Sequence, residues 1–297
     1  MTMTLQRSLT KKFKRLLKGR KRGVLELTGT SKEILNKIKR GKPMAKRILK
    51  SENVVKSNSN ALAGKVAIVT GGSRGLGKFI AKRLVSEGVF VSIAGRTLSD
   101  LKVVVAELEA MGGRVIGVQT DVTSEKSVHR LLSKTLTEFG TVDILINNAG
   151  QFLERPVTEM SLDEWNNIIN TNLTGPFLLS RAVLPEMMEK MDGTIVMISS
   201  TSGKRASANS AAYSASKFGI EGFSEALLRE VREYNVRVVV VTPSSVDVSE
   251  KEAHQILKGG RGARLRAEDV ADTVIHAIKL PPRALVREVE LWATNPL

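Results

Sequence analysis

Short apolar runs alternate with longer amphipathic segments along most of the chain. The short runs are rich in Val and Ile, which is typical of strands buried on both faces. Between them, apolar residues recur at the three- and four-residue spacing of helices. The predicted strands are Val66–Val69, Val89–Ala94, Val115–Val118, Ile144–Ile146, Thr194–Ile198, Val236–Val241 and Glu288–Trp292. Helices are predicted to begin near Leu76, Leu98, Ser124, Asp163, Tyr213 and Glu268.

This alternation predicts the fold class. Parallel strands need crossover connections, and helices supply them with a right-handed path. We therefore predict an α/β fold with a doubly wound parallel sheet of the Rossmann type. It would have about seven strands and helices on both faces.

Composition narrows the possible chemistry. The chain has 297 residues, 42% of them apolar, and no cysteine. Disulfides, cysteine-ligated metals and thiol catalysis are therefore excluded, and the cytoplasm is the easiest fit. The three histidines are widely spaced, so no metal site is predicted. No apolar run reaches the roughly 20 residues that cross a bilayer, and no secretory signal is recognisable.

Charge divides the chain into two parts. Residues 1–60 contain 18 Lys and Arg and three acids, and so carry +15 of the net charge of +16. Apolar residues such as Leu9 and Phe13 share one helical face there, so this basic extension is expected to be partly helical or a disordered tail. An anionic membrane surface, an acidic partner and a targeting role all fit. Phe13 is its one aromatic residue, so no specific nucleic-acid partner is expected.

A glycine-rich turn follows the first predicted strand. The strand runs into Gly71-Gly72-Ser73-Arg74-Gly75-Leu76-Gly77, and a helical pattern begins there. Free backbone N–H groups and the helix dipole attract phosphate at such a junction. Glycine is needed where a Cβ would block the ligand or the helix packing. The turn therefore predicts a nucleotide site, although turns of this composition also occur without a ligand.

Five further motifs follow in order. They are Asp121-Val122, Asn147-Asn148-Ala149-Gly150, Asn172-Leu173-Thr174-Gly175, Ser200 and Tyr213-Ser214-Ala215-Ser216-Lys217. With the glycine turn, this order resembles the short-chain dehydrogenase/reductase family over about residues 62–297, in particular its 3-oxoacyl-carrier-protein-reductase-like branch. The resemblance implies an oxidoreductase that interconverts a carbonyl and a secondary alcohol. Residues 61–297 would then form a single catalytic domain.

The resemblance implies four catalytic residues. Tyr213 would act as general acid/base, Ser200 would polarise the substrate oxygen, and Asn172 would hold a water linking Lys217 to solvent. Tyr213 and Lys217 are four residues apart and share a helix face. The ammonium is expected to lower the Tyr213 pKa from its usual value of about 10. Strand alternation points the rival Ser199 to the opposite face from Ser200.

Charge also predicts the cofactor. In NAD sites an acidic residue follows the second strand, whereas this chain has Arg96 there and Arg74 in the glycine turn. Two guanidinium groups suit a 2′-phosphate, so NADP(H) is predicted. The cofactor-binding set implied by the resemblance is Gly71, Ser73, Arg74, Gly75, Leu76, Gly77, Arg96, Asp121, Val122, Asn148, Ala149, Gly150, Tyr213, Lys217, Pro243 and Val246.

One segment departs from the family pattern. After Pro243, Ser244 stands where a glycine is usual, and Val248 replaces a threonine that lies near the nicotinamide. The segment over roughly 244–266 would cover the substrate in this fold. Its Lys and Arg residues fit a phosphorylated or carrier-bound acyl substrate, or simply a solvated loop.

Three functions remain open. The leading one is an NADP(H)-dependent reductase or dehydrogenase of a small carbonyl or alcohol. A 3-oxoacyl-thioester reductase of lipid synthesis is an alternative, and a weakly catalytic nucleotide-binding scaffold localised by its basic tail is another. The resemblance also implies a homo-oligomer, a tetramer or dimer built on the helices that begin near Ser161 and Tyr213.

Overall fold

A computed structural model describes residues 61–249 and 264–295. The predicted basic extension, 1–60, and part of the predicted substrate-covering segment lie outside the described residues. Strands β1 to β9 are Val66–Thr70, Phe90–Gly95, Val115–Gln119, Ile144–Asn147, Gly193–Ile198, Val236–Pro243, Val246–Asp247, Leu265–Arg266 and Glu288–Leu291. Helices α1 to α7 are Gly75–Ser86, Leu98–Ala110, Glu125–Phe139, Leu162–Ile169, Gly175–Glu189, Ala211–Val231 and Ala267–Lys279.

Within the described residues, seven parallel strands form one sheet in the order β3-β2-β1-β4-β5-β6-β9. Val69 of β1, for example, lies opposite Ile93 of β2 on one side and Ile146 of β4 on the other. The predicted doubly wound sheet is confirmed, and each predicted strand is present with its ends shifted by at most two residues. The strand order reverses between β1 and β4, and a ligand cleft is expected at such a point.

Alternate residues of β1 face different helical layers. Ala67 and Val69 pack with the layer formed by α1, α2 and α7, whereas Ile68 packs with the layer formed by α3, α5 and α6. All three side chains are fully buried. Two covered faces explain why the strands are apolar at successive positions rather than at every second one.

The segment after β4 forms two helices joined by a wider turn, in the region where the sequence predicts a helix beginning near Asp163 that contains Asn172. Helix α4 begins with a capping box between Ser161 and Glu164, and a wider π turn, Asn170–Thr174, then joins it to α5. Pro176 near the start of α5 has no N–H, so it cannot donate to the Asn172 carbonyl four residues earlier. The widened turn places Asn172 at the sheet edge, where such bulges often serve a site.

A second, smaller sheet consists of two short strands. Strand β7 pairs with β8 in parallel, with Val246 opposite Leu265, on either side of the undescribed residues 250–263. Two-residue strands carry too short a pattern to be predicted from sequence. In the part of the chain that is described, no helix is long and apolar enough to cross a bilayer.

Candidate active site

The glycine turn joins the C-terminal end of β1 to α1. Gly71 and Gly75 have φ angles of +64° and +51°, in the left-handed region that favours glycine. A Cβ at Gly77 would lie 2.3 Å from the Gly71 carbonyl oxygen and 2.5 Å from the Asn148 amide nitrogen. Glycine at these positions therefore lets the helix begin directly against the turn.

The N-terminus of α1 is available to an anion. Arg74 is its N-cap residue, but the Arg74 side chain makes no capping hydrogen bond. The first turn contains no acidic residue. The uncapped N–H groups and the positive end of the helix dipole thus remain to attract a negatively charged ligand.

A cleft of about 400 Å³ opens beside this turn, across the ends of β1, β2 and β4. Its lining includes most of the predicted cofactor set, namely Gly71, Ser73, Arg74, Gly75, Leu76, Arg96, Asp121, Val122, Asn148, Ala149 and Gly150. Further lining residues have no sequence prediction: Ala94, Gly95, Thr97, Asp100, Thr120, Gln151 and Thr171. Most of these stand at or just after strand ends, and that position is the signal that could have identified them.

The remaining members of the predicted cofactor set lie outside this lining: Gly77, Tyr213, Lys217, Pro243 and Val246. Pro243 ends β6 and Val246 begins β7. Val248, the departure from the family pattern, is exposed and lies beside the turn, since a Cβ on Gly75 would be 3.9 Å from its Cβ. An apolar side chain therefore stands at the border of the cleft.

The charges in the cleft are mixed. Arg74 and Arg96 both line it and are both exposed. Asp100, in the first turn of α2, lines it as well, as does Asp121. The sequence places no acid directly after β2, but the path of the chain brings Asp100 back to the same cleft.

Lys217 is the buried cation of the site. Its side chain is on α6, only 6% of the residue is exposed, and Nζ donates to the Ile198 carbonyl at 2.8 Å. Nζ also lies 5.6 Å from the centre of the Tyr213 ring. Burial lowers the pKa of Lys217 to about 8, and the Glu221 carboxylate opposes that shift.

Tyr213 and Ser200 are brought together. The Ser200 side chain is near enough to lower the pKa of the Tyr213 hydroxyl, and Ser200 Oγ accepts from the Ser202 N–H at 3.2 Å. Burial raises the pKa of Tyr213, and the interaction with Ser200 offsets only part of this shift. The sequence predicts a lowered Tyr213 pKa from the nearby Lys217, and that direction is wrong for the protein alone, because burial disfavours the charged phenolate and is the largest cause of the shift.

Ser199 points into a different set of contacts. Its Oγ donates to Glu221 Oε1 at 2.7 Å, whereas Ser200 lies by Tyr213, which is two helical turns before Glu221 on the same helix. Lys204 donates to the other oxygen of Glu221 at 2.9 Å. Sequence reasoning missed Glu221. Its spacing in the sequence could have identified it, because Glu221 follows Lys217 by the same four residues that separate Lys217 from Tyr213.

Asn172 is buried in the π turn. Its Oδ1 accepts from the Gln151 N–H at 2.8 Å, and its Nδ2 donates to the Gln151 carbonyl at 2.9 Å and to Ser216 Oγ at 3.1 Å. Asn172 thus ties the chain leaving β4 to helix α6. Its predicted role in holding a water for Lys217 stays a prediction.

Phe152 lies beside the reacting groups and belongs to no motif. It is 60% exposed and follows β4, and its ring packs edge-on against the Tyr213 ring with centroids 4.9 Å apart. It therefore presents an exposed apolar surface next to the Tyr213 ring. A single aromatic residue in a loop gave no periodic signal, so the sequence could not identify it.

Residues 65–255 match the family model described as short chain dehydrogenase. An uncharacterized oxidoreductase of Staphylococcus aureus is 34% identical over 228 residues, covering 77% of this chain and 96% of that protein. An uncharacterized oxidoreductase of Staphylococcus saprophyticus is 35% identical over 233 residues, covering 77% and 97%.

A similar fold is found in a solved structure. The crystal structure of a metagenomic short-chain oxidoreductase in complex with NADP superposes with a TM-score of 0.69 at 34% sequence identity. The match covers 78% of this chain and 98% of the metagenomic chain.

Proposed function

This chain belongs to the short-chain dehydrogenase family, and from that premise we propose that it is an NADP(H)-dependent oxidoreductase that interconverts a carbonyl and a secondary alcohol. The observation that carries the proposal is the placement of Tyr213 beside the buried Lys217, whose Nζ lies 5.6 Å from the Tyr213 ring centre, and next to Ser200, which acts on the Tyr213 pKa. Tyr213 lies on α6 and Ser200 follows β5, one strand beyond the β1–β4 cleft. A proton donor and a nucleotide cleft on one sheet edge are what hydride transfer to a carbonyl requires.

The cleft fits a phosphorylated dinucleotide. The uncapped N-terminus of α1 would hold the diphosphate, and the Arg74 and Arg96 guanidinium groups would hold the 2′-phosphate. Lys217 would bind the nicotinamide ribose hydroxyls. The metagenomic relative with NADP bound supports the same cofactor here.

The side chains of this site can handle the proton. Bound NADPH would supply the hydride to the carbonyl carbon. Ser200 would donate a hydrogen bond to the carbonyl oxygen, and Tyr213 would transfer its hydroxyl proton to that oxygen as charge develops. The Lys217 ammonium would stabilise the phenolate that remains, and solvent would return the proton. Alcohol oxidation would use the same groups in reverse.

The test is a panel of aldehydes, ketones, secondary alcohols and one 3-oxoacyl thioester, followed by NADPH absorbance. We expect NADPH to be consumed with some of the carbonyls, and NADH to support at most about a tenth of that kcat/KM. Thioester turnover well above that of simple ketones would identify the lipid-synthesis alternative. Tight NADPH binding without turnover of any panel member would identify the scaffold instead.

We also propose a homo-oligomer, either a dimer or a tetramer. Large apolar side chains on α4, α5 and α6 are exposed: Leu162, which is 72% exposed, and also Trp165, Phe177 and Phe218. Exposed apolar surface of this kind is typical of an interface between copies. Light scattering at micromolar concentration should give a mass above one chain, and a monomer would contradict the proposal.

The basic extension is proposed to associate with anionic surfaces, either a membrane or an acidic partner, in the cytoplasm. Its support is the charge of +15 over residues 1–60. This role is independent of the reductase chemistry, since each proposed catalytic residue lies beyond residue 60.

A further inference from the structure

A partly buried group of charged side chains contacts Ser199, the residue before Ser200. We call Glu221, Lys204 and Glu288 the Glu221 cluster. Lys204 bridges the two carboxylates, at 2.9 Å from Glu221 and 2.6 Å from Glu288. The Glu221 side chain is only 16% exposed. Its second oxygen accepts from Ser199 Oγ at 2.7 Å and from Thr242 Oγ1 at 3.4 Å, so Glu221 joins the ends of β5 and β6 to helix α6.

Two residues of α6 hold successive residues at the end of β5. Lys217 Nζ is bonded to the Ile198 carbonyl, and Glu221, one helical turn later, is bonded to the Ser199 hydroxyl. Ser200 follows directly. The packing is tight here, because a Cβ at Gly203 would lie 3.0 Å from both the Lys217 carbonyl oxygen and Ser199 Oγ. A change at Glu221 therefore reaches both Lys217 and the backbone that carries Ser200.

We propose that Glu221 is a positioning residue for the reaction: it places a carboxylate one helical turn from Lys217, and its bond to Ser199 fixes the strand end that carries Ser200. This inference rests on the proposed function, in which charged Lys217 holds the cofactor ribose and stabilises the Tyr213 phenolate. Glu221 touches neither substrate nor cofactor in this scheme and acts through its neighbours.

The charges around Lys217 support an electrostatic role. On its own helix it faces Tyr213 and Glu221, and Glu221 is the carboxylate that raises the Lys217 pKa against the effect of burial. The turn after β5 contributes Lys204, and β9 contributes Glu288, both through the cluster. The other polar groups nearby are neutral. Lys217 is bonded to the Ile198 carbonyl of β5, Glu221 to the Thr242 hydroxyl of β6, and Asn172 to Ser216, the residue before Lys217.

This arrangement makes Glu221 matter near neutral pH. The pKa of Lys217 is about 8 with Glu221 in place. A further decrease would leave much of Lys217 neutral under ordinary conditions. NADPH affinity should then fall at a lower pH, even though no group that touches the cofactor has been changed.

The experiment measures NADPH affinity by fluorescence quenching from pH 6.5 to 9.5. Glu221→Gln keeps an oxygen for Ser199 but removes the charge, so the alkaline loss of affinity should move down by roughly 0.5–1 pH unit. Glu225→Gln is the matched control. It is one turn further along α6, is exposed, and pairs with Arg229, so it should leave the profile unchanged.

A second variant gives the opposite sign. Lys204→Gln leaves the Glu221 charge less neutralised, so the alkaline loss should move to higher pH. If Glu221→Gln fails to fold, as judged by circular dichroism, the Lys204 variant still tests the proposal. Shifts in the same direction for both variants, or no shift in either, would overturn it.

Lys217→Met separates this inference from the proposed function. If the alkaline loss disappears in Lys217→Met but Glu221→Gln leaves it in place, only the role of Glu221 is wrong. If the wild-type protein has no alkaline loss, or Lys217→Met retains it, the role of Lys217 in cofactor binding is wrong and the inference falls with it. Steady-state kcat should follow the affinity profile in Glu221→Gln, whereas Glu221→Ala, which also removes the Ser199 bond, should lower kcat further at every pH.

Discussion

The cleft beside β1 and the α6 region beside β5 differ in whether their charged and polar groups are exposed or buried. In the cleft, glycine backbone, an uncapped helix end and exposed guanidinium groups such as Arg74 offer attraction without burying a charge. Around α6, an ammonium and a phenol are withdrawn from water, and burial shifts both pKa values toward the neutral forms. The cleft is suited to recognition, and the α6 region is suited to proton transfer.

The difference has a consequence for stability. An exposed cation costs the fold little, whereas a buried one opposes folding unless its partners compensate. Lys217 has one carbonyl and one nearby carboxylate as compensation. Substitutions in the α6 region should therefore change chemistry and stability together, while substitutions in the cleft should change affinity alone.

Tyr213→Phe should have the largest effect. Only the hydroxyl is lost, so kcat should fall at least about 100-fold while NADPH affinity stays within a few-fold. Tyr234→Phe, at the chain's other tyrosine, is the control and should keep full activity. Steady-state kinetics and fluorescence titration measure the two quantities. A variant that keeps more than about a tenth of wild-type kcat would contradict the assignment of Tyr213 as the acid.

Arg96→Asp tests the cleft side of the comparison. One charge-assisted contact to the 2′-phosphate is worth about 1.5–3 kcal/mol, so NADPH affinity should fall roughly tenfold or more. NADH affinity should be unchanged or improved, because a carboxylate can accept from the ribose hydroxyls. Arg283→Asp makes the same charge change at an exposed site outside the cleft lining and should have little effect. Equal affinity of the wild-type protein for NADH and NADPH would refute the reading of this cleft.

Lys217→Met should remove activity but stabilise the fold at neutral pH. The pKa of about 8 lies below the ordinary 10.5, so the folded protein releases this proton first. The cost of burying the charge is therefore fully present below pH 8 and disappears as pH rises toward 10.5. After loss of the Ile198 bond, a net gain on the order of 1–2 kcal/mol is expected at pH 7.

Denaturant unfolding of wild type and Lys217→Met at pH 7 and pH 9.5 measures this gain. The advantage of the variant should shrink at the higher pH. Lys134→Met, which removes an exposed lysine on α3, should show no such pH dependence. An equally stable or less stable Lys217→Met at pH 7 would mean that burial of the charge is compensated better than its contacts indicate.

Removal of residues 1–60 should have the smallest effect on catalysis. The remaining chain contains the βαβ core and each proposed catalytic group, so kcat and KM should stay near wild type. Full-length protein should co-sediment with anionic vesicles at low salt and be released at high salt, whereas the truncated protein should not bind. Loss of folding or activity on truncation would show that the predicted boundary at residue 60 is wrong.

Local sequence patterns predicted most of the strands and several residues of the candidate site. Runs rich in Val, Ile and Leu predicted strands β1 to β6 of the main sheet, because strands covered on both faces are apolar at successive positions, and alternating Glu and apolar residues predicted the edge strand β9. The glycine turn was recognisable because phosphate sites need backbone N–H groups at a helix start. Tyr213 and Lys217 were identified through the family resemblance, and their four-residue spacing places them on one helix face.

Contacts between distant segments were decided only by the tertiary structure. Glu221 reaches Ser199 and Lys204, Asn172 ties the loop after β4 to α6, and Phe152 comes to rest against Tyr213. The tertiary structure also decided the direction in which the Tyr213 pKa is shifted. It depends on how much water the fold excludes, and burial is a property of the packed layers that no local spacing encodes. The sequence by itself thus determined which residue types stand at the sheet edge, while packing decided which of them touch and in what charge state.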